Sequence, residues 1–94
     1  AAGVEVSTIE HIMAALAGCG VQNAMIEIDG PEVPILDGSS AMFVDGILSR
    51  GVQTLDAQVR AIEILETVEV RDGDAIARLS RSDKFEIAFQ IEFL

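Results

Sequence analysis

The side chains best suited to chemistry in this 94-residue chain are the adjacent pair Glu10-His11. Imidazole is the commonest transition-metal ligand, and a carboxylate beside a metal can take the proton of an attacking water during hydrolysis. The pair therefore reads as one metal ligand plus one general base. It competes with blander readings. Glu10 stands three places after Ser7, the spacing of a capping box. His11 is the only histidine, and a zinc site needs three or four ligands. Cys19 is a possible thiolate ligand, although a lone Cys is usually a small buried hydrophobe. Asp37-Gly38-Ser39-Ser40 before a helix suits an anion or, more simply, a turn and cap. Glu66, Glu69, Asp72 and Asp74 match no calcium-loop spacing and read as a solvated edge.

The element that carries the pair is predicted to be a helix from Ser7 to Gly18, capped by Ser7 and stopped by Gly18 or Gly20. At ~100° per residue, Ile9, Ile12, Met13 and Leu16 share one stripe, the expected buried face. The opposite face carries Glu10, His11, Ala14, Ala15 and Gly18. A run of Ala and Gly beside the only histidine implies that something packs close there or that space is kept open. Asn23 to Asp29 then alternates like a half-buried strand, with Ala24, Ile26 and Ile28 in phase. Pro31 and Pro34 keep the next stretch extended. Ser39 or Ser40 caps a second helix of roughly Ala41 to Arg50, burying Phe43, Ile47 and, with them, Val44 and Leu48. Gly51 ends it.

Val52 to Arg60 has no period and reads as a linker. After it the pattern becomes an antiparallel meander: Ala61 to Arg71 alternates, Asp72-Gly73 is a hairpin signal, Asp74 to Arg81 returns, and Lys84 to Leu94 runs Phe85, Ile87, Phe89, Ile91 and Phe93 in phase. Helices followed by a meander give an α+β class. Five large apolar residues on one strand gain ~1.5–3 kcal/mol each from full burial, so that face needs a covering layer.

Composition narrows the function classes. A net charge of −10, with only six scattered Lys and Arg, disfavours nucleic acid and anionic membrane surfaces. Apolar runs fall far short of the ~20 residues needed to span a bilayer, so the chain is read as soluble and not transmembrane. One Cys and no visible signal peptide fit a reducing, cytoplasmic setting. The opening Ala1-Ala2-Gly3-Val4-Glu5-Val6 has no Met, Val4 and Val6 read as the tail of a strand, and the chain closes at Phe93-Leu94 inside a strand pattern. Both ends are expected to be interior to a longer protein.

Taken in order, Val6 to Gly18, Asn23 to Ile28, Pro31-Glu32-Val33-Pro34-Ile35-Leu36-Asp37-Gly38-Ser39-Ser40 and Phe43-Val44 resemble the bacterial UDP-3-O-acyl-N-acetylglucosamine deacetylases, zinc enzymes of lipid A synthesis. The resemblance is dense over residues 4 to 48 and looser beyond. It implies two-layer α/β sandwich domains, with residues 1–57 the later part of the first and 58–94 the opening strands of the second. It implies zinc as cofactor, His11 as a metal ligand, Glu10 as the general base, and hydrolysis of the N-acetyl group of UDP-3-O-acyl-N-acetylglucosamine. Asp37, Gly38 and Ser39 are expected to shape a turn. In the family a second His, an Asp ligand and a further catalytic His come from the second domain, and none is present here. The isolated segment is therefore expected to be inactive, and the rest of the same polypeptide is expected to cover the Phe85–Phe93 face. The rival reading is a non-catalytic acidic interaction module in which Glu10 only caps its helix and the Phe85–Phe93 face forms a dimer interface.

Overall fold

The computed structural model describes residues 3–93. Ala1, Ala2 and Leu94, used above in reading the chain ends, lie outside the described residues. Two compact units divide the chain, Ala1–Val59 and Arg60–Leu94.

In the first unit, α1 spans Glu10–Gly18 and α2 spans Ala41–Arg50. The start of α1 differs from the capping-box expectation. Ser7 is occupied elsewhere: its N–H donates to the Pro31 carbonyl (2.9 Å) and its carbonyl accepts the Val33 N–H (3.1 Å), an isolated parallel bridge opposite Glu32. Thr8 follows at φ +57°, and only at Ile9 does the backbone become helical. Ile9 is the N-cap and makes no side-chain cap, so Glu10 opens the helix instead of closing a capping box. Val4 and Val6, read as the tail of a strand, are in no strand and stay exposed.

The other end of α1 follows from local chemistry. Gly20 takes φ +70°, the Val21 N–H reaches back to the Leu16 carbonyl (2.8 Å) and the Gly20 N–H to that of Ala17 (3.1 Å). That pair of bonds is a Schellman stop, which needs a left-handed residue and favours glycine. Helix α2 runs over the expected residues, and Gly51 ends it at φ +81°.

The buried side of α1 is not the expected stripe. Ile12 and Leu16 are half-buried, but Ile9 and Met13 are exposed, and the sealed position is Ala15 at 1% exposure. Helix α2 packs against α1, and at Ala15 a methyl side chain lets neighbouring groups come close. Phe43, Val44 and Ile47 of α2 are half-buried while Leu48 stays exposed. Val33 is the other buried apolar side chain among the described residues. The segment Asn23–Asp29 is not a strand, because a ladder needs a neighbour and none pairs with it among the described residues. Its alternation persists as exposure: Ile26 and Ile28 are the more covered, Met25 the less.

The second unit holds one antiparallel hairpin, β1 (Val68–Asp72) and β2 (Ala75–Leu79), closed by the Asp72↔Ala75 pair around Gly73-Asp74. Gly73 at φ +56° supplies the positive angle that a two-residue hairpin turn demands. Ala61 to Glu66 and Lys84 to Phe93, expected as strands, form no ladder among the described residues, and Phe85, Ile87, Phe89, Ile91 and Phe93 are all exposed. Their in-phase pattern specifies a face, but pairing requires a partner strand and a covering layer.

Glu69 faces Arg78 across the hairpin and shares its face with Arg71. Its carboxylate accepts from both, at 2.7 Å from Arg78 Nε and 2.6 Å from Arg71 Nε, so it is an ion-pair hub and not a spare calcium ligand. Arg78 first and Arg71 second hold its carboxyl below the ordinary 4.5. With the folded value depressed, the contribution of Glu69 to hairpin stability is complete above the ordinary value and is lost as pH falls through the lowered one. A side-chain carbon NMR titration of Glu69 is expected to show a midpoint below the ordinary glutamate value. A midpoint at or above it would contradict the pairing.

Candidate functional site

Glu10 and His11 occupy the first turn of α1, where their positions depend on where the helix starts. The parallel bridge at Ser7 and the turn at Thr8 fix that start, and three contacts then hold the turn to the rest of the unit. The Thr8 hydroxyl donates to Glu32 Oε1 (2.5 Å). The Ser40 hydroxyl, at the N-cap of α2, donates to the His11 carbonyl (2.8 Å). Ala15, one helical turn beyond His11 and on the same face, is sealed in the interior. The backbone of the histidine is thus clamped while its ring is left available.

The two candidate side chains differ in environment. The His11 side chain is 23% exposed and that of Glu10 is 67% exposed, with His11 Nε2 and Glu10 Oε1 4.0 Å apart. That separation is outside hydrogen-bond range, so neither group saturates the other. Among the described residues neither makes a side-chain hydrogen bond. A half-sheltered imidazole with an exposed carboxylate beside it suits a ligand and a base approached from one side.

The Asp37 loop is built as a turn. Asp37 Oδ1 accepts the Ser39 N–H (3.0 Å) and hydroxyl (2.8 Å), and Ser39 Oγ in turn accepts the Ala41 N–H (3.1 Å) at the start of α2. Gly38 at φ +79° completes the bend. The Ser39 N–H and then its hydroxyl hold the Asp37 carboxyl below its usual range, and His11 adds a smaller push the same way. This is the turn-and-cap reading, with the first helical N–H already satisfied. Cys19 is the half-buried C-cap of α1.

No group of three His, Cys, Asp or Glu side chains able to hold a metal occurs among the described residues. Catalytic zinc takes three ligands from protein, a set that the described residues do not bring together. In the second unit, a groove lined by Ile62, Ile64, Leu79 and Phe85 carries neither His nor Cys. Thr8, Glu32 and Ser40 are the site neighbours that sequence reasoning missed or read as a cap. The Pro31-Glu32-Val33-Pro34 stretch, held extended by its prolines, was the signal for a strand-like partner, but its register against Ser7 is not encoded locally. No helix of the described residues is long and apolar enough to cross a membrane.

The family model for UDP-3-O-acyl N-acetylglycosamine deacetylase (LpxC) matches residues 1–94. The chain is 55% identical over 93 residues to the UDP-3-O-acyl-N-acetylglucosamine deacetylase of Phenylobacterium zucineum, covering 99% of this chain and 32% of that protein. It is 48% identical over 91 residues to the protein of that name from Vibrio cholerae serotype O1 (97% and 30% covered). The corresponding protein of Anaeromyxobacter dehalogenans is 46% identical over 91 residues (97% and 30% covered). The chain therefore spans about a third of the length of the curated relatives it matches. No solved structure matches it.

Proposed function

Because the chain belongs to the UDP-3-O-acyl-N-acetylglucosamine deacetylase family, we propose that it is a segment of a zinc-dependent hydrolase that removes the N-acetyl group from UDP-3-O-acyl-N-acetylglucosamine in lipid A synthesis. Residues 1–57 are the later part of its first α/β domain and 58–94 the opening strands of its second. The single observation that carries the site assignment is the first turn of α1, where a clamped His11 and an uncommitted Glu10 stand side by side.

In this reading His11 supplies one metal ligand through its ring, and its backbone position is held by Ser40 and by the sealed Ala15. Zinc, when bound, supplies polarisation of the amide carbonyl. Glu10 removes the proton from the attacking water and is exposed enough to reach it. The proton then leaves with the amine, and the released acid is acetate. The other ligands, the UDP contacts and the layer over Phe85–Phe93 belong to the rest of the same polypeptide. The working place is the cytoplasm, consistent with a lone free Cys19.

The rival interaction module has Glu10 as a capping residue and the Phe85–Phe93 face as a dimer interface; Ile9, the N-cap, makes no side-chain cap, which speaks against its first part, while that face is exposed. The test is acetate release from UDP-3-O-acyl-N-acetylglucosamine. The full-length polypeptide is expected to release acetate, to stop when zinc is chelated and to resume when zinc is restored, while the isolated 94 residues release none. Turnover by the isolated segment, or chelator-resistant turnover by the whole, would refute the proposal.

A further inference from the structure

The residue two places before Glu10 has a backbone that its side chain disfavours. Thr8 sits at φ +57°, and for a β-branched residue the left-handed region is a genuine outlier. Such conformations persist where the surroundings over-determine them, and they concentrate where geometry matters. Here the surroundings do so. Ser7 is bonded on both its N–H and its carbonyl to the 31–33 segment, Val33 in that segment is 4% exposed, and the Thr8 hydroxyl is tied to the Glu32 carboxylate. Pro31 and Pro34 stiffen the far side of the contact.

Glycine would take this φ without strain. Threonine takes it only by accepting a disfavoured backbone, and what it adds over glycine is a hydroxyl bonded to the side chain of Glu32, 24 residues away. Only Ile9 separates Thr8 from Glu10, and Ile9 is already in helical conformation at φ −87°, ψ −9°. There is no slack between the anchor and the site. Any rotation at Thr8 swings the first turn of α1 and displaces the Glu10 carboxylate and the His11 ring together.

We propose that Thr8 and Glu32 are a positioning pair, whose hydrogen bond and left-handed backbone set where Glu10 and His11 stand. The inference rests on the functional reading above and extends it to two residues that act through the placement of Glu10 and His11. Misplacing a reacting group by about 1 Å can cost 10²-fold in rate, and losing an outer-shell partner costs ~10–100-fold in metal affinity.

The test uses the full-length polypeptide and compares Thr8→Gly, Thr8→Ser and Glu32→Ala with the parent for kcat, KM, zinc affinity against a competing chelator, and melting temperature. Thr8→Gly removes the anchor while relieving the backbone, so it is expected to melt no lower than the parent yet to lose about tenfold or more in kcat, with KM within about twofold. Glu32→Ala is expected to match that kcat loss, and both to bind zinc about tenfold more weakly. Thr8→Ser keeps the hydroxyl and is expected to restore kcat to within about threefold. Parental kcat and zinc affinity in Thr8→Gly and Glu32→Ala would overturn the inference, as would losses in Glu32→Ala that only follow a fall in melting temperature while Thr8→Gly behaves as the parent. Glu10→Gln serves as the control: if it also turns over normally, the functional reading itself fails, whereas an inactive Glu10→Gln beside active Thr8 and Glu32 variants sinks only the pair.

Discussion

Glu10→Gln in the full-length polypeptide is expected to lower kcat by about 10²–10⁴-fold, the usual worth of a positioned general base, without changing the midpoint of denaturation. Glutamine has the shape of glutamate but cannot accept the proton. The structural cost is small because the Glu10 side chain is two-thirds exposed and caps nothing. Surface substitutions of this kind usually stay within about 0.5 kcal/mol of the parent. KM is expected to be unchanged, since the lost interaction is made in the transition state. Steady-state kinetics beside a chemical denaturation curve decide the matter, and parental kcat in a folded Glu10→Gln protein would remove Glu10 from the chemistry.

His11→Ala is expected to have the second large effect, this time on the metal. Loss of a direct ligand should weaken zinc binding by more than the ~10–100-fold that an outer-shell partner costs, and turnover should fall with it. The fold should survive better than a half-buried position suggests. Ser40 bonds to the backbone carbonyl of residue 11 and not to the ring, so the clamp between α1 and α2 is spared by the substitution. Zinc content after dialysis, with circular dichroism as the control for folding, reads this directly. A His11→Ala protein that keeps stoichiometric zinc would show that the ring is no ligand.

The features legible in the sequence are those whose causes are local. A glycine stop for α1, expected at Gly18 or Gly20 and found at Gly20, the bounds of α2, and a hairpin turn expected at Asp72-Gly73 and found one residue on at Gly73-Asp74 each depend on a residue's own φ preference or on bonds within a few positions. The placing of Glu10 and His11 together on one helical turn was legible for the same reason. The start of α1 was not, because Ser7 could cap a helix as easily as bridge to Glu32, and only contact with that distant segment of the chain decides between them. The buried face was misread in a related way. Ile9 and Met13 are the greasier residues, yet Ala15 is the one sealed in the interior. The Lys84–Phe93 strand shows the limit of periodicity: alternation states which side should be buried, but a ladder exists only when a neighbouring strand is present.

The two departures bear on function. With the capping box gone, Glu10 stands as the acidic residue of the first turn of α1, at its favourable end, and makes no side-chain cap. With His11 and Ala15 one turn apart on one face, the packing that seals Ala15 also steadies the backbone from which the imidazole projects. Of the small residues beside the histidine, Ala15 serves close packing, whereas Ala14 and Gly18 are exposed and a side chain at Gly18 would meet open space.

Locating the metal in the full-length polypeptide by anomalous diffraction at the zinc edge addresses the central assignment with least intervening inference. A single peak about 2.0–2.1 Å from a ring nitrogen of His11, with the Glu10 carboxylate facing the same space, is the predicted result. Zinc bound elsewhere, with the His11 ring turned into the interior and no density beside it, would contradict it.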